Sequence, residues 1–242
     1  MWVDVDSDTD DEDPILSIIY DNKCNRKYSR KGFNKICSDG LTSTSLHKHG
    51  WRYTETSGRN SFIYMKRRRV LKISKHSEVR NSYCAHVSRR IREIHILLYA
   101  LRPMVPHVHH VKICSFNDDP ALAIVMDRVG EDVRGRVTIS AIQSAAQRMT
   151  RHGVFSTDIV TDTVRVNKGN LAFSLTPKRM RLNVLFLDFD ATENFVDTRS
   201  VPPATMFNIW YKVLCSCLDI PVDPISYEEY EQAQSRWRYH FN

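Results

Sequence analysis

Two aspartates that follow short apolar segments are the residues of this chain whose setting suggests chemistry. Asp188 lies in V-L-F-L-D-F-D, Val184–Asp190, where four apolar residues precede an acidic pair around a phenylalanine. An apolar run that ends in charge predicts a buried strand. Because an unpaired buried carboxylate is costly, we expect Asp188 at a cleft where a cation, a metal ion or solvent meets it. Asp158 follows a similar apolar approach within Arg151–Val166, thirty residues earlier.

Together these segments resemble the catalytic loop and the metal-binding motif of protein kinases, H-R-D-x-x-x-x-N followed by D-F-G. Upstream, Arg69–Lys75 has the alternation of a half-buried strand, with Lys72 between two apolar residues, and is similar to the V-A-I-K strand of that family. Apolar residues at helical spacing in Arg89–Leu101 leave Glu93 outside the apolar row, which resembles helix C with its ion-pair glutamate.

Three later segments resemble further kinase elements in the family's order. Val105–Phe116 is similar to the turn and strand after helix C. Ala121–Gly130 resembles the fifth strand and the hinge, with Met126 at the gatekeeper position. Phe207–Leu218 resembles the central helix of the carboxy-terminal lobe, with Asn208 where an aspartate is usual.

Six matches in order imply an α+β protein of two-lobed, protein-kinase-like fold, in which a small antiparallel sheet lobe with helix C precedes a reduced helical lobe. The resemblance covers roughly residues 50–220. The expected organisation is an acidic disordered tail, an N-terminal extension, an N-lobe with hinge, and a reduced C-lobe, at residues 1–13, 14–46, 47–130 and 131–242.

The resemblance implies a role for each matched charged residue. Lys72 would contact the α- and β-phosphates of ATP, Glu93 would hold Lys72, and Asp158 would orient the acceptor hydroxyl. Asp188 would bind Mg²⁺, with Thr163 at the position of the second metal ligand.

Further contacts to ATP would come from a loop and from the hinge. Trp51–Lys75 predicts a hairpin whose turn contains Gly58, the one glycine where the family has a glycine-rich loop. Side chains at the other loop positions would crowd the approach to phosphate. At the hinge, Met126, Asp127 and Val129 are the expected cofactor contacts.

Departures from the family's pattern imply weak catalysis or none. Ser156 and Thr157 replace the His and Arg of H-R-D, Thr163 replaces the metal-binding Asn, and Asp190 replaces the Gly of D-F-G. Asp162, beside Thr163, is an alternative metal ligand. If the missing ligand and the missing glycines each remove about 2 to 3 kcal/mol of transition-state stabilisation, the rate falls about 10³- to 10⁴-fold.

Three functions compete at this point. One is a divergent ATP- and Mg²⁺-dependent Ser/Thr protein kinase; the second is a pseudokinase that serves as decoy or scaffold for a host kinase-pathway protein. The third is a basic nucleic-acid or virion-associated protein, in which the four charged residues are ordinary strand, helix and turn residues. Few glycines and a short segment after Asp188 resemble trimmed viral kinases, which implies the host cytoplasm or nucleus.

Charge and hydropathy fit these alternatives. Residues 4–13 hold seven acidic side chains, and removing them from the formal net charge of +7 leaves +14 on the remainder. Such an acidic run predicts a solvated tail, and the basic remainder leaves nucleic-acid binding open. No stretch of eighteen apolar residues and no signal-like segment occurs, so we expect a soluble, intracellular protein without membrane contact.

Cysteines and histidines give little sign of a metal site in the sequence. The six cysteines are scattered without a C-x-x-C pair, which predicts reduced, packed thiols. His107, His109 and His110 form H-x-H-H in a turn where we expect no further acid or thiol ligand, and we interpret them as structural.

Overall fold

The computed structural model describes most of the chain beyond its first forty residues. The described residues are 41–54, 61–75, 93–94, 96–117, 119–160, 164–176, 181–188 and 194–234. By their contacts they form two units, one containing the described residues of 41–75 and 107–128, the other those of 93–106 and 129–234. Helices and antiparallel sheets are both present. No helix in the described part of the chain is long and apolar enough to cross a bilayer.

The first unit is built on a five-stranded antiparallel sheet. Its order is β1-β2-β3-β5-β4. The strands are β1 (Arg52–Tyr53), β2 (Ser61–Lys66), β3 (Arg69–Lys75), β4 (Val108–Phe116) and β5 (Asp119–Asp127). The expected hairpin in Trp51–Lys75 is confirmed, because Arg52 pairs with Met65 across its turn.

A short helix, α1 (Ser43–Lys48), precedes this sheet and begins at a capping box. Thr42 Oγ1 accepts from the N–H of Ser45 at 3.0 Å, and Ser45 Oγ accepts from the N–H of Thr42 at 3.0 Å, so two donors at the helix start are satisfied. The core lies on one sheet face and contains Leu46, Trp51, Tyr64, Leu71 and Phe116, among others.

The strand predicted at Arg69–Lys75 is confirmed, but its half-buried character is wrong. Residues 70–74 are all buried, on both faces of the sheet. The prediction of a half-buried strand failed because polar residues at alternate positions, here Lys72 and Ser74, usually face solvent. In this sheet both are buried, since β3 is the central strand.

Helical residues at 93–94 and 96–100 confirm a helix within the predicted Arg89–Leu101. The apolar row at Ile94, Leu97, Leu98 and Leu101 is buried, as the helical spacing predicted. These residues belong to the second unit, although the sequence grouped them with the first lobe.

The second unit contains three further helices, two strand pairs and two short 3₁₀ turns. The helices are α2 (Ile139–His152), α3 (Pro203–Cys217) and α4 (Tyr227–Gln234). The strand pairs are β6 (Val154–Ser156) with β9 (Phe195–Asp197), and β7 (Leu171–Thr176) with β8 (Arg181–Phe186). The 3₁₀ turns are Thr157–Ile159 and Lys168–Asn170. α2 packs against α3 and against β8.

Gly153 ends α2 and starts β6 in a conformation that favours glycine. Its φ is +75°, and a Cβ at this position would lie 2.5 Å from Cγ of Arg199. The chain can therefore reverse from α2 into β6 only with a residue that lacks a side chain. Its carbonyl accepts from the N–H of Thr198 at 2.8 Å, which extends the β6–β9 pairing.

Two other expectations meet the structure in this unit. The buried strand predicted at Val184–Asp190 exists as β8, but it starts at Arg181, ends at Phe186 and is only half-buried. Its side chains alternate because α2 covers one face. Cys215 and Cys217 are buried free thiols, as predicted, and burial raises the pKa of Cys217 to about 12.

Candidate functional site

Asn170 links the two segments that carry the predicted site aspartates. Its side-chain Nδ2 donates to the main-chain carbonyl of Asp158 at 3.0 Å. Its own main-chain carbonyl accepts from the N–H of Leu187 at 3.0 Å. Asp188 follows Leu187 directly in the chain. One asparagine therefore holds the Asp158 turn beside the strand end at which Asp188 lies.

The β7–β8 hairpin explains why Asn170 can do this. Asn170 ends the 3₁₀ turn Lys168–Asn170 and immediately precedes β7. The register pairs Leu171 with Phe186, so the start of β7 lies beside the end of β8. The turn itself is capped by Asn167, whose side-chain oxygen accepts from the N–H of Gly169 at 3.3 Å.

An aromatic cluster lies beneath the same segments. The indole of Trp210 in α3 packs edge-on against Phe155 of β6, at 4.9 Å between ring centroids, and against Phe186 of β8, at 6.0 Å. Phe186 also contacts Phe195 of β9, at 5.4 Å. All four rings are buried. Each strand of the cluster leads into or out of a site segment, so their packing fixes the strand ends that carry polar residues.

The Asp158 carboxylate contacts the neutral side-chain amide of Asn194, which donates to its Oδ2. The Asn194 carbonyl in turn accepts from Oγ1 of Thr157 at 3.2 Å. Both Asp158 and Asn194 are partly buried, at the turn that follows β6 and at the residue before β9. A neutral amide orients a carboxylate without cancelling its charge, so this group can still attract a cation or accept a proton.

Lys72 lies in the middle of the sheet of the first unit and is 5 % exposed. Its cross-strand neighbours are Ile63 and Ile124. Met126 is also buried and shares its face, because Val70 pairs with Met126 and side chains of one face recur every second residue. An ammonium this buried requires a polar partner or a bound anion.

The remaining predicted site residues fall in several places. Glu93 and Val129 are partly buried residues of the second unit, whereas Met126 and Asp127 belong to the first. Gly58 and Thr163 lie outside the described residues, as do Asp162 and Asp190. Their roles stay predictions.

Asp127 is the last residue of β5 and is already engaged within its own unit. Its N–H donates to the carbonyl of His107 at 2.9 Å. Its carboxylate contacts the guanidinium of Arg69 and, at 2.8 Å, Nε2 of His109. The interpretation of the histidines as lacking a nearby acid is therefore wrong, because β4 and β5 are neighbours and their ends meet.

A surface cavity of about 510 Å³ lies beside the Lys168–Asn170 turn. Two lysines line it, but Lys168 is ion-paired with Asp219 and Lys212 with Glu229. The Lys168 ammonium, followed by Arg134, holds the pKa of Asp219 below its usual value. Because carboxylates already pair with both lysines, we do not assign this cavity to a phosphate.

The sequence did not identify Asn170 and Asn194. The sequence could have pointed to Asn170, because this residue directly precedes an apolar, strand-like run. That strand pairs with the strand that leads to Asp188. Asn194 had none, since its contact with Asp158 spans 36 residues.

Comparisons with known proteins give limited further information. No protein-family model and no curated protein matches the chain. Among solved structures, a crystal structure of WbdD is similar with a TM-score of 0.38 and 12 % identity, over 76 % of this chain and 50 % of that one. A complex of WbdD with a kinase inhibitor has a TM-score of 0.36 and 12 % identity, over 76 % of this chain and 50 % of that one. A structure described as the bifunctional kinase-methyltransferase WbdD has a TM-score of 0.33 and 11 % identity, over 77 % of this chain and 50 % of that one. This chain thus spans about half the length of these matches, and at such TM-scores the likeness carries no functional argument.

Proposed function

We propose that this chain is a divergent phosphotransferase of the protein-kinase type, which binds ATP with Mg²⁺ and transfers the γ-phosphate slowly to Ser or Thr hydroxyls of a protein. The observation that carries the proposal is the pair of hydrogen bonds by which Asn170 joins the Asp158 turn to the Asp188 strand end. Two carboxylates on segments joined in this way are what metal-assisted phosphoryl transfer requires from the protein.

Asp188 and Asn170 are the proposed metal ligands. Mg²⁺ prefers oxygen ligands, and carboxylate and amide oxygens both qualify. Because the Asn170 nitrogen donates to the Asp158 carbonyl, the amide orientation is fixed and its oxygen is left to act as an acceptor. Asn170 is therefore proposed beside Thr163, which the resemblance implies and which lies outside the described residues.

Asp158 is the proposed base that orients the acceptor hydroxyl. Its carboxylate is held by Asn194 and its carbonyl by Asn170, so both ends of the residue are fixed by amides. Such positioning supplies much of the rate enhancement in phosphoryl transfer. The phosphate contact that the resemblance implies for Lys72 is part of the proposal and is tested below by Lys72→Met.

A second candidate, a pseudokinase that binds nucleotide without transfer, is favoured by one contact. The Asn194 amide donates to Asp158 Oδ2 and so occupies one acceptor site of this carboxylate. If Asn194 holds the carboxylate away from an acceptor hydroxyl, the protein would bind nucleotide without transferring phosphate.

Calorimetry with ATP and Mg²⁺ tests nucleotide binding. Lys72→Met and Asp188→Asn should each weaken binding by at least about tenfold, or about 1.4 kcal/mol. The matched control is Asp223→Asn, which removes an exposed carboxylate elsewhere in the second unit and should change nothing. Equal binding of ATP in Mg²⁺ and in EDTA would contradict the assignment of Asp188, because a carboxylate facing a triphosphate without a metal ion repels it.

Transfer of labelled γ-phosphate to a Ser/Thr-rich protein separates the two candidates. A phosphotransferase should lose transfer in Asp158→Ala while keeping its affinity for ATP with Mg²⁺. Nucleotide binding without transfer in the unmodified chain would leave the pseudokinase. Absence of nucleotide binding would reject both and favour the basic nucleic-acid or virion-associated protein.

A further inference from the structure

Three potential metal ligands converge at one end of the five-stranded sheet, and one of them, Asp127, is also an expected hinge contact of the cofactor. Nδ1 of His107 lies 3.3 Å from Nε2 of His109, which lies 2.8 Å from Oδ1 of Asp127. Nδ1 of His107 and Oδ2 of Asp127 are 3.8 Å apart. In a tetrahedral zinc site with bonds of about 2.0 to 2.1 Å, ligand atoms lie about 3.3 Å apart. The three observed distances of 2.8, 3.3 and 3.8 Å lie around that value.

The strand geometry places these side chains together. His107 precedes β4 by one residue, and its carbonyl accepts from the N–H of Asp127 at the end of β5. The β4–β5 register shifts between Val108 and His110, so His109 lies at a bulge. A bulge redirects side chains at a strand end, which here brings His109 toward Asp127 and His107.

The hydrogen-bond inventory of the cluster points to a cation at its centre. Nε2 of His109 carries either one hydrogen or one lone pair, yet it contacts Asp127, His107 and Nη1 of Arg69. If Nε2 carries a hydrogen, it can donate to the Asp127 carboxylate but cannot accept from Arg69. If it carries a lone pair, it can accept from Arg69, but it then faces the acceptor oxygen of Asp127 without a hydrogen between them. Arg69 already brings one positive charge to His109 and Asp127, and a metal ion in its place would face the lone pairs of both imidazoles and the carboxylate together.

We propose that His107, His109 and Asp127 bind a divalent transition-metal ion of the Zn²⁺ class, with water as the fourth ligand. Two imidazoles and one carboxylate form a ligand set that suits zinc and is too rich in nitrogen for Mg²⁺. The His109 side chain is 18 % exposed and that of His107 67 %, so the site is anchored on one side and open to solvent on the other. An ion can therefore enter without unfolding the sheet.

Arg69 is the competing cation at this site. Its guanidinium contacts both His109 and Asp127, and its side chain is 21 % exposed. Because a guanidinium and a divalent ion repel strongly at such range, they exclude each other from the same ligands. Metal binding must displace Arg69, and removing Arg69 should strengthen metal binding.

Calorimetric titration of the metal-stripped full chain with Zn²⁺ tests the site. One ion should bind per chain, and His109→Ala and Asp127→Asn should each weaken binding by at least about tenfold, since each removes one of three protein ligands. Arg69→Gln should tighten binding by about threefold or more because it removes the competing charge. His49→Ala, which changes a histidine outside the cluster, is the matched control.

Substitution with Co²⁺ gives a readout of the ligand set. A tetrahedral nitrogen and oxygen site should give visible d–d absorption without the near-ultraviolet charge-transfer band that thiolate adds, which separates this site from binding at the six cysteines. His109→Gln replaces His109→Ala if the latter fails to fold in EDTA. The proposal is overturned if Zn²⁺ does not bind, if the His109 variants bind it as well as the unmodified chain, or if Arg69→Gln weakens binding.

Discussion

The surroundings of Asp127 and of Asp158 show how the partners of a carboxylate decide what it can do. Asp127 contacts a guanidinium and an imidazole, whereas Asp158 contacts an amide from Asn194. Arg69 cancels the charge of Asp127, so that group can serve a metal ion only if Arg69 leaves. The Asn194 amide donates a hydrogen bond to Asp158 without bringing a positive charge.

The two regions also differ in the metal ion that their ligands suit. The Asp127 region offers two imidazole nitrogens and one carboxylate, which suit Zn²⁺. The Asp188 and Asn170 segments of the Asp158 region offer oxygen atoms alone, which suit Mg²⁺. A protein with both regions should therefore respond to the two ions independently, and the following predictions test that separation.

The largest effect is expected from Trp210→Ala. The indole is fully buried between Phe155 and Phe186, so truncation should lower the free energy of unfolding by about 3 to 5 kcal/mol, measured by urea denaturation. The Asp158 region should lose Mg²⁺-dependent ATP binding, while the Asp127 region keeps its Zn²⁺ affinity. Trp51→Ala, which truncates the buried indole of the first unit, should weaken Zn²⁺ binding and, because Lys72 lies in the same sheet, ATP binding as well. Loss of both activities in both variants would refute independent regions.

Asn170→Ala should have the next largest effect. It removes the hydrogen bond to the Asp158 carbonyl and should cost about 1 to 2 kcal/mol of stability. Calorimetry should show that ATP affinity in Mg²⁺ falls at least about tenfold, because a proposed ligand is lost and the Asp158 turn is released. Asn183→Ala is the matched control, since Asn183 bonds Ser174 and Thr176 on the same hairpin. Equal loss of ATP affinity in both variants would show that the hairpin as a whole, rather than Asn170, is required.

Asn194→Asp should have a smaller, pH-dependent effect. The new carboxylate would lie beside Asp158, and like charges raise the pKa of one member of such a pair above its unfolded value. At low pH one of the two carboxyl groups is protonated and the folded state is not destabilised. As the pH rises both become charged, and their repulsion lowers the free energy of unfolding. Asn194→Asp should therefore be less stable than Asn194→Ala by about 1 kcal/mol near pH 7, and similar to it near pH 4, in chemical denaturation. A constant difference across this range would contradict the contact with Asp158.

The smallest effect is expected from His152, which ends α2 next to Gly153. Burial lowers the pKa of the His152 imidazole below its ordinary value of 6.5. The unfolded chain then binds the proton more readily, so the stability due to His152 is present above pH 6.5 and is lost as the pH falls through the folded-state pKa. His152→Gln should flatten the decrease in unfolding free energy between about pH 7.5 and 5.5.

The matched control for this measurement is His47→Gln, which changes an exposed histidine of α1. A pH dependence that is the same in His152→Gln as in the unmodified chain would contradict the lowered pKa of His152.

Local sequence patterns were sufficient to predict most of the elements. The strand at Arg69–Lys75 has the bounds that its alternation indicated, and α3 contains nearly all of the predicted helix at Phe207–Leu218. These elements depend on residues that are a few positions apart in the chain, and the spacing of apolar residues therefore predicts them directly.

The sequence by itself determined where several of the strands and the helix α3 form, and that Asp158 and Asp188 follow apolar segments. Only the tertiary structure decided the partners of those carboxylates. Asp127 contacts His109, which is 18 residues away along the chain. Asp158 contacts Asn170 and Asn194, which are 12 and 36 residues away. Such contacts depend on strand register, on a bulge in β4 and on a hairpin that closes beside a turn. A one-residue change in any of them would direct the same side chains elsewhere, and no local periodicity carries that information.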